Sequence, residues 1–220
     1  MWCERNEYTN NKPFARYKVP AETCGTPFYL TIAERNDLYN FDLSKRPALE
    51  RQRDIFVFQC VIGCRVGDLY KMTKSSIIDG EIQYVAEKTK GKEPRTIRVP
   101  LNSIATEIVS KYAGLDGEHL LPLIAEQKYN ETIKEVFTVA GLTRNVTTLN
   151  KLTGIEETRP LNEVASSHLA RRTFCGNLYK KVRDPNLVGA LSGHTDGSKA
   201  FARYRDIDEE MKTELVKMLE

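Results

Sequence analysis

A chain of 220 residues, 40% hydrophobic and 29% charged, can bury a sizeable core as one large domain and needs no disulfide or metal staple. No apolar run approaches the roughly 18 residues of a membrane span, and the opening "MWCERNEYTN" lacks the apolar stretch of a signal peptide, so a soluble, cytoplasmic protein is expected. The net charge of +3 is only mildly basic and excludes no class of partner.

The first 20 residues are polar and broken by Pro13 and Pro20. They read as a linker, extending to residue 24, that follows a domain now missing, with the folded domain spanning 25–220. "TIAE", Thr31 to Glu34, is a capping box that starts a helix reaching about Asn40. "RPALERQRDIFVFQCVIGC" follows, with Pro47 in the first turn and Ile55, Phe56, Phe58, Val61 and Ile62 predicting a mostly buried helix that ends near Gly63.

The period then changes. "SSII", the turn pair Asp79-Gly80 and "EIQYVAEKT" signal a hairpin, and "PRTIRVPL" supplies a third strand beyond a loop at "KGKE". Helices return from Asn102 to about Tyr112 and from about Ala125 to Ala140, the second closed by Gly141. Residues 144–161 read as an irregular hairpin or loop. Ser166 and Ser167 can cap a helix to about Val182, Asp184-Pro185 opens a short one to Leu191, and Asp206 with Glu209 caps a final acidic amphipathic helix. The expected fold class is mainly α with a small antiparallel β-sheet, α+β.

Cys3, Cys24, Cys60, Cys64 and Cys175 are odd in number and contain no C-x-x-C pair, so reduced thiols are expected, with Cys60 and Cys64 facing the core. Charge is unevenly distributed. Residues 171–205 carry eight Lys or Arg against two acids, whereas residues 206–220 carry six acids against two lysines. A basic surface ahead of an acidic tail suits a polyanion bound on one face, although such runs are also ordinary solvated surface.

Four stretches carry candidate chemistry. In "SSHLARRTF", His168 and Arg171 are three apart near a helix start, on one helical face, where an imidazole and a guanidinium can hold a phosphate; an isolated H-x-x-R is more often a capped histidine and a surface arginine. "IGCRVGDLYKMT" places Arg65 just past a buried helix between Gly63 and Gly67. "EKTKGKEPRTIRVPL" sets lysines at a hairpin tip, and "SGHTDGSKAFARY" supplies His194 and, ten residues on, Tyr204. No Asp, Glu and His cluster has the spacing of a two-metal nuclease.

In this order, Arg in G-x-R-x-x-[DE], hairpin Lys, H-x-x-R, G-H and a late Tyr, the chain resembles the catalytic domain of the tyrosine recombinases, or phage integrases, most nearly those of bacterial mobile elements. The resemblance spans roughly residues 25–215 and implies the tyrosine recombinase catalytic-domain fold. It implies that Arg65 and Arg171 clamp a scissile DNA phosphate, that Tyr204 is the nucleophile, and that His168 accepts the phenol proton. His194 would hydrogen-bond the phosphate, and Lys88, with Lys90 and Lys92 as alternatives, would be the acid for the departing 5'-oxygen. The implied reaction is site-specific strand exchange (integration, excision or inversion) through a 3'-phosphotyrosine, with no cofactor, metal or ATP. The glycines ahead of Tyr204 would let its segment move in and out of the cleft.

The implied partners are double-stranded DNA at a specific site, three further copies of the chain in a homo-tetramer assembled on it from free monomers, and accessory DNA-bending proteins, at the nucleoid when DNA-bound. The missing domain would be the N-terminal core-binding jaw of a DNA clamp, so weak DNA affinity is expected of this chain alone. The acidic helix would dock on a neighbouring protomer or fold back on its own domain. Two alternatives are type IB topoisomerase-like nicking and resealing, and a DNA-binding module without activity.

Overall fold

The computed structural model of the chain describes residues 5–10, 27–87, 94–150, 153–194, 213 and 216–219. Most of the expected linker, Lys88, Lys90, Lys92, Tyr204, Cys3, Cys24 and most of the acidic helix lie outside the described residues.

Helix α1 (Ile32–Asn40) starts as the capping box requires: Thr31 Oγ1 accepts from Glu34 N at 3.1 Å and Glu34 Oε2 accepts from Thr31 N at 2.8 Å. Helix α2 (Pro47–Ile62) is the axis of the molecule. Every residue from Gln52 to Ile62 is buried, and α1, α4, α5 and α7, given below, all pack on it. A helix buried all round has no solvent face to turn outward, so its polar side chains must find partners inside.

After α2 come a four-residue helix α3 (Val66–Leu69), a 3-10 turn (Lys74–Ser76) and the antiparallel sheet β1 (Ile77–Ile78), β2 (Glu81–Val85) and β3 (Thr96–Pro100), in that spatial order. Asp79 and Gly80, with φ of 52° and 76°, make the β1–β2 turn of primed type that an Asp-Gly pair favours. Alternation sets the faces: Ile82 and Ala86 from the β2 segment and Ile97 and Val99 from β3 are buried, with Ile82 opposite Val99.

Two amphipathic helices follow, α4 (Ser103–Tyr112) and α5 (Glu126–Val139). The latter buries Tyr129, Thr132, Ile133, Val136 and Phe137, the i, i+3, i+4, i+7, i+8 stripe of a core-facing helix. Phe137 meets Phe56 of α2 edge to face, ring centroids 5.2 Å apart.

The stretch expected as an irregular hairpin or loop is a regular one: β4 (Asn145–Leu149) pairs with β5 (Glu156–Pro160) across five residues, making a second small sheet. Thr147, Glu156, Glu157 and Thr158 are exposed, and the lack of an apolar face is why no strand pattern was legible there.

Helix α6 (Leu161–Val164), helix α7 (Ser167–Val182) and helix α8 (Pro185–Ser192) complete the described fold. Asp184 caps α8 as expected, accepting from Asn186 N at 2.8 Å. Ser166 occupies the N-cap of α7 but makes no side-chain cap hydrogen bond; at that end the Ser167 N–H donates to Asn130 Oδ1 of α5 at 2.8 Å. The expected serine cap is thus replaced by a tertiary one. The segment before α1 lies on α7: Leu30 is fully buried, its N–H donates to Thr173 Oγ1 at 3.1 Å, and its carbonyl accepts from Asn177 Nδ2 at 2.8 Å.

A buried polar network locks α2 to its neighbours. Asp54 accepts from Arg53 Nε at 2.6 Å, from Lys111 Nζ at 2.7 Å and from the Tyr112 hydroxyl at 2.7 Å. Arg53 also donates to the carbonyls of Tyr39 at 2.5 Å and Phe41 at 2.8 Å, so α1, α2 and α4 are joined through two side chains. Cys60, Cys64 and Cys175 are free buried thiols, and burial raises the pKa of Cys64 to about 12. Cys64 lies two residues beyond the end of α2 rather than within it. No helix among the described residues is long and apolar enough to cross a membrane.

Candidate active site

Gly63 closes α2 with a φ of 74°, in the left-handed region where glycine is favoured. A Cβ there would lie 2.2 Å from Cδ1 of Phe174, so the close pass of α7 over the end of α2 also demands glycine. The turn buries Cys64 and delivers Arg65, at the N-cap of α3, toward α7 and β2.

Arg171 is 2% exposed. Its Nη1 donates to the Gly63 carbonyl at 2.6 Å, which fixes the guanidinium against the turn that presents Arg65. Its Nη2 faces the ring of His194, 3.2 Å from Nδ1 and 3.3 Å from Nε2. The roles of the two ring nitrogens follow from Ser192. Its hydroxyl donates to the Val188 carbonyl at 2.6 Å, so the Oγ lone pairs face His194 Nδ1 at 2.7 Å and that nitrogen carries the hydrogen. His194 therefore offers Nε2 to Arg171 as an acceptor.

Gly193, with a φ of 66°, makes this placement possible. A Cβ on it would lie 2.2 Å from Cδ1 of Ile97, so the end of α8 presses His194 onto the three-stranded sheet.

Arg65 is partly exposed, its side chain at 27%. Its Nη1 is 3.9 Å from Asp68 Oδ2, and both atoms are buried without a hydrogen-bond partner among the described residues. Asp68 Oδ1 accepts from Glu87 N at 3.0 Å, tying α3 to the end of β2, one residue before Lys88. Burial and the charge of Arg171 push the Arg65 guanidinium below its ordinary pKa, with Asp68 opposing them. Arginine stays protonated nonetheless. Asp68 faces Arg65 while Arg171, whose charge Arg65 also feels, is paired with no carboxylate among the described residues, and the excess positive charge in a partly dehydrated place is a site for an anion.

His168, the second residue of α7, is exposed one turn before Arg171. The pair expected on one face is thus split in depth, because the Gly63 carbonyl holds Arg171 against the end of α2 whereas the His168 side chain is exposed. Of the six residues singled out in the sequence, Arg65, Arg171 and His194 come together, His168 stands at the helix start above them, and Lys88 and Tyr204 lie outside the described residues. Asp68, Tyr84 and Ser192 at the same site were not singled out. Asp68 had a signal as the acid of G-x-R-x-x-[DE], whereas Tyr84 and Ser192 had none beyond strand alternation and a helix end.

The profile of the phage integrase family matches residues 29–211. The chain belongs to the phage integrase family. No curated protein matches it in sequence. Among solved structures, this family member is similar to XerH site-specific recombinase bound to palindromic difH substrate, with a TM-score of 0.61 at 15% identity over 89% of this chain and 54% of that one. It is similar to a lambda integrase dimer bound to a COC' core site (TM-score 0.62, 20% identity, 93% of this chain and 55% of that one). It also resembles the Tn1549 transposon integrase in complex with a circular intermediate DNA (TM-score 0.58, 12% identity, 91% of this chain and 67% of that one). The family member thus has the tyrosine recombinase catalytic-domain fold, and it spans about half the length of the XerH and lambda integrase chains.

Proposed function

We propose that this family member cuts and rejoins DNA strands at a specific site by forming a 3'-phosphotyrosine on Tyr204, with no metal or ATP taking part. The observation that carries the reading is the meeting of Arg65 and Arg171 at one recess, Arg171 held by the Gly63 carbonyl and His194.

A tyrosine hydroxyl with a pKa near 10 is a weak nucleophile at neutral pH unless its proton is accepted and the growing phosphate charge is spread. The two guanidiniums, aimed at the non-bridging oxygens, serve the second need. As phosphate arrives, His194 Nε2 gives up its Arg171 contact and takes up a proton, and the imidazolium then donates a hydrogen bond to the phosphate. His168 accepts the phenol proton, and Lys88, the residue that follows Glu87 in sequence, protonates the departing 5'-oxygen. The energy of the broken bond is kept in the phosphotyrosine, so a second DNA end can attack it and complete the exchange.

The test is covalent capture. The protein is incubated in EDTA, without ATP, with a pool of nicked suicide duplexes of randomised core, and adducts that survive denaturant are counted and sequenced. A wild-type adduct that Tyr204→Phe abolishes and Arg171→Lys reduces by about 100-fold is expected, the scale of removing one preorganised donor. Absence of an adduct, or its persistence in Tyr204→Phe, refutes the reading.

A further inference from the structure

Tyr84 stands on the site side of β2. Side chains alternate along a strand, so Tyr84 shares the face of Ile82 and Ala86, and on β3 it is paired with Ile97. Ile97 and Ala86 are the two side chains that Gly193 approaches, next to His194. The phenol therefore lies on the surface against which the histidine-bearing end of α8 is seated.

Its neighbours at this position are charged. The hydroxyl lies in the fields of Arg171, Asp68 and Arg65. The oxygen is buried and has no hydrogen-bond partner among the described residues, as is true of Arg65 Nη1 and Asp68 Oδ2 beside it. A buried hydroxyl without a partner is destabilising relative to phenylalanine, which fills the same space with nothing to satisfy. Burial first, with Asp68 adding to it, also holds the phenol well above its ordinary pKa, so it is a hydrogen-bond donor at any working pH. Among the described residues, Tyr84 Oη and Arg65 Nη1 are two donors without a hydrogen-bond partner at one recess, as the oxygens of a phosphate require, and Asp68 Oδ2, 3.9 Å from Arg65 Nη1, is the counter-charge that orients the guanidinium.

We propose that the Tyr84 hydroxyl is a third donor to the non-bridging oxygens of the scissile phosphate, beside Arg65 and Arg171. The proposal rests on the recombinase reading above. It gives Tyr84 the role of a neutral donor whose hydrogen bond strengthens as charge grows on the phosphate, and it accounts for a tyrosine where strand alternation asks only for an apolar residue.

The experiment compares wild type with Tyr84→Phe on a suicide duplex recovered from the capture pool, by single-turnover rate of adduct formation. The duplex is made with oxygen and with each of the two phosphorothioate diastereomers at the scissile position. Sulfur is a poor hydrogen-bond acceptor, so the wild type is slowed at the diastereomer that faces Tyr84. The variant forms adduct about 10- to 100-fold more slowly with oxygen, and its slowing by sulfur at that one diastereomer shrinks toward none. Its melting temperature is equal to or above that of wild type, since an unsatisfied buried hydroxyl has been removed. Equal rates with oxygen overturn the proposal. So does a slower variant that keeps the full sulfur effect at both diastereomers, or one with a lowered melting temperature and unaltered sulfur effects, because these describe a packing role. If wild type forms no Tyr204-dependent adduct, the recombinase reading falls and takes this one with it; an adduct formed equally fast by both proteins removes Tyr84 alone.

Discussion

Gly63→Ala tests whether the close pass of α7 over the end of α2 is what sets the arginine pair. Alanine at a φ of 74° costs about 1–2 kcal/mol, the general penalty of the left-handed region for a residue with a Cβ. The new methyl would lie 2.2, 2.6 and 2.6 Å from three atoms of the Phe174 ring. Such overlap in a packed interior costs about 1–3 kcal/mol as the ring and backbone shift. The sum is about 2–5 kcal/mol, a large share of the stability of a domain this size. The same shift carries the Gly63 carbonyl away from Arg171 Nη1, so phosphate-directed activity falls along with stability. The assay is a double-mutant cycle by urea unfolding, with Phe174→Leu as the second change to make room for the methyl. The backbone part, about 1–2 kcal/mol, persists in the double variant, whereas the overlap part is relieved, giving a coupling of about 1–3 kcal/mol. Strict additivity, or a Gly63→Ala variant as stable as wild type, would refute the reasoning.

The Asp54 network yields a contrast: Asp54→Asn leaves Arg53 and Lys111 facing a neutral group and lowers unfolding free energy by about 3 kcal/mol, whereas Lys111→Met, at the more exposed end, costs under about 1 kcal/mol, both read from urea midpoints. Alkaline stability has a defined sign. Burial and Glu107 raise Tyr39 to about 12, burial and the hydrogen bond to Asp54 raise Tyr112, and Lys111 is raised because Asp54 and Glu50 outweigh its desolvation. Above the ordinary tyrosine value near 10 the unfolded chain releases protons that the folded one retains. The buried thiols of Cys60, Cys64 and Cys175, raised by burial, make the urea midpoint begin to fall near the ordinary thiol value of about 8.5, and Tyr39, Tyr112 and Lys111 steepen the fall above about pH 10. Tyr39→Phe with Tyr112→Phe makes the part of the fall above about pH 10 shallower; a slope there that is unaltered in the double variant contradicts the assignment.

Local chemistry made much of this fold legible before any coordinates. The Thr31 to Glu34 box, Pro47 at a helix start and the Asp79-Gly80 turn depend on residues within four positions of one another, and each gives its signal wherever it occurs. The apolar residues Ile55, Phe56, Phe58, Val61 and Ile62 ahead of Gly63 likewise announce a mostly buried helix, because they spread over more than one helical face. The hairpin of residues 145–160 was not legible as strands, since an exposed ladder held by backbone hydrogen bonds needs no alternation. The serine expected to cap α7 was displaced by Asn130, a residue 37 positions away.

The sequence by itself determined the family and the order of its candidate residues, because matching side chains at matching spacings is a property of the chain. Only the tertiary structure decided that Arg171 is anchored on Gly63, that His194 reaches it through Ser192 and Gly193, and that Tyr84 turns its hydroxyl toward the same charges. The Arg171 contacts join residues 23 and 108 positions apart, and such distances are closed by the packing of α7 on α2 and of α8 on α7 and β3. Pattern along the chain marks apolar faces but not where a polar group comes to rest, so the burial of Arg171, the orphaned polar atoms and the direction of a ring nitrogen had to await the folded arrangement.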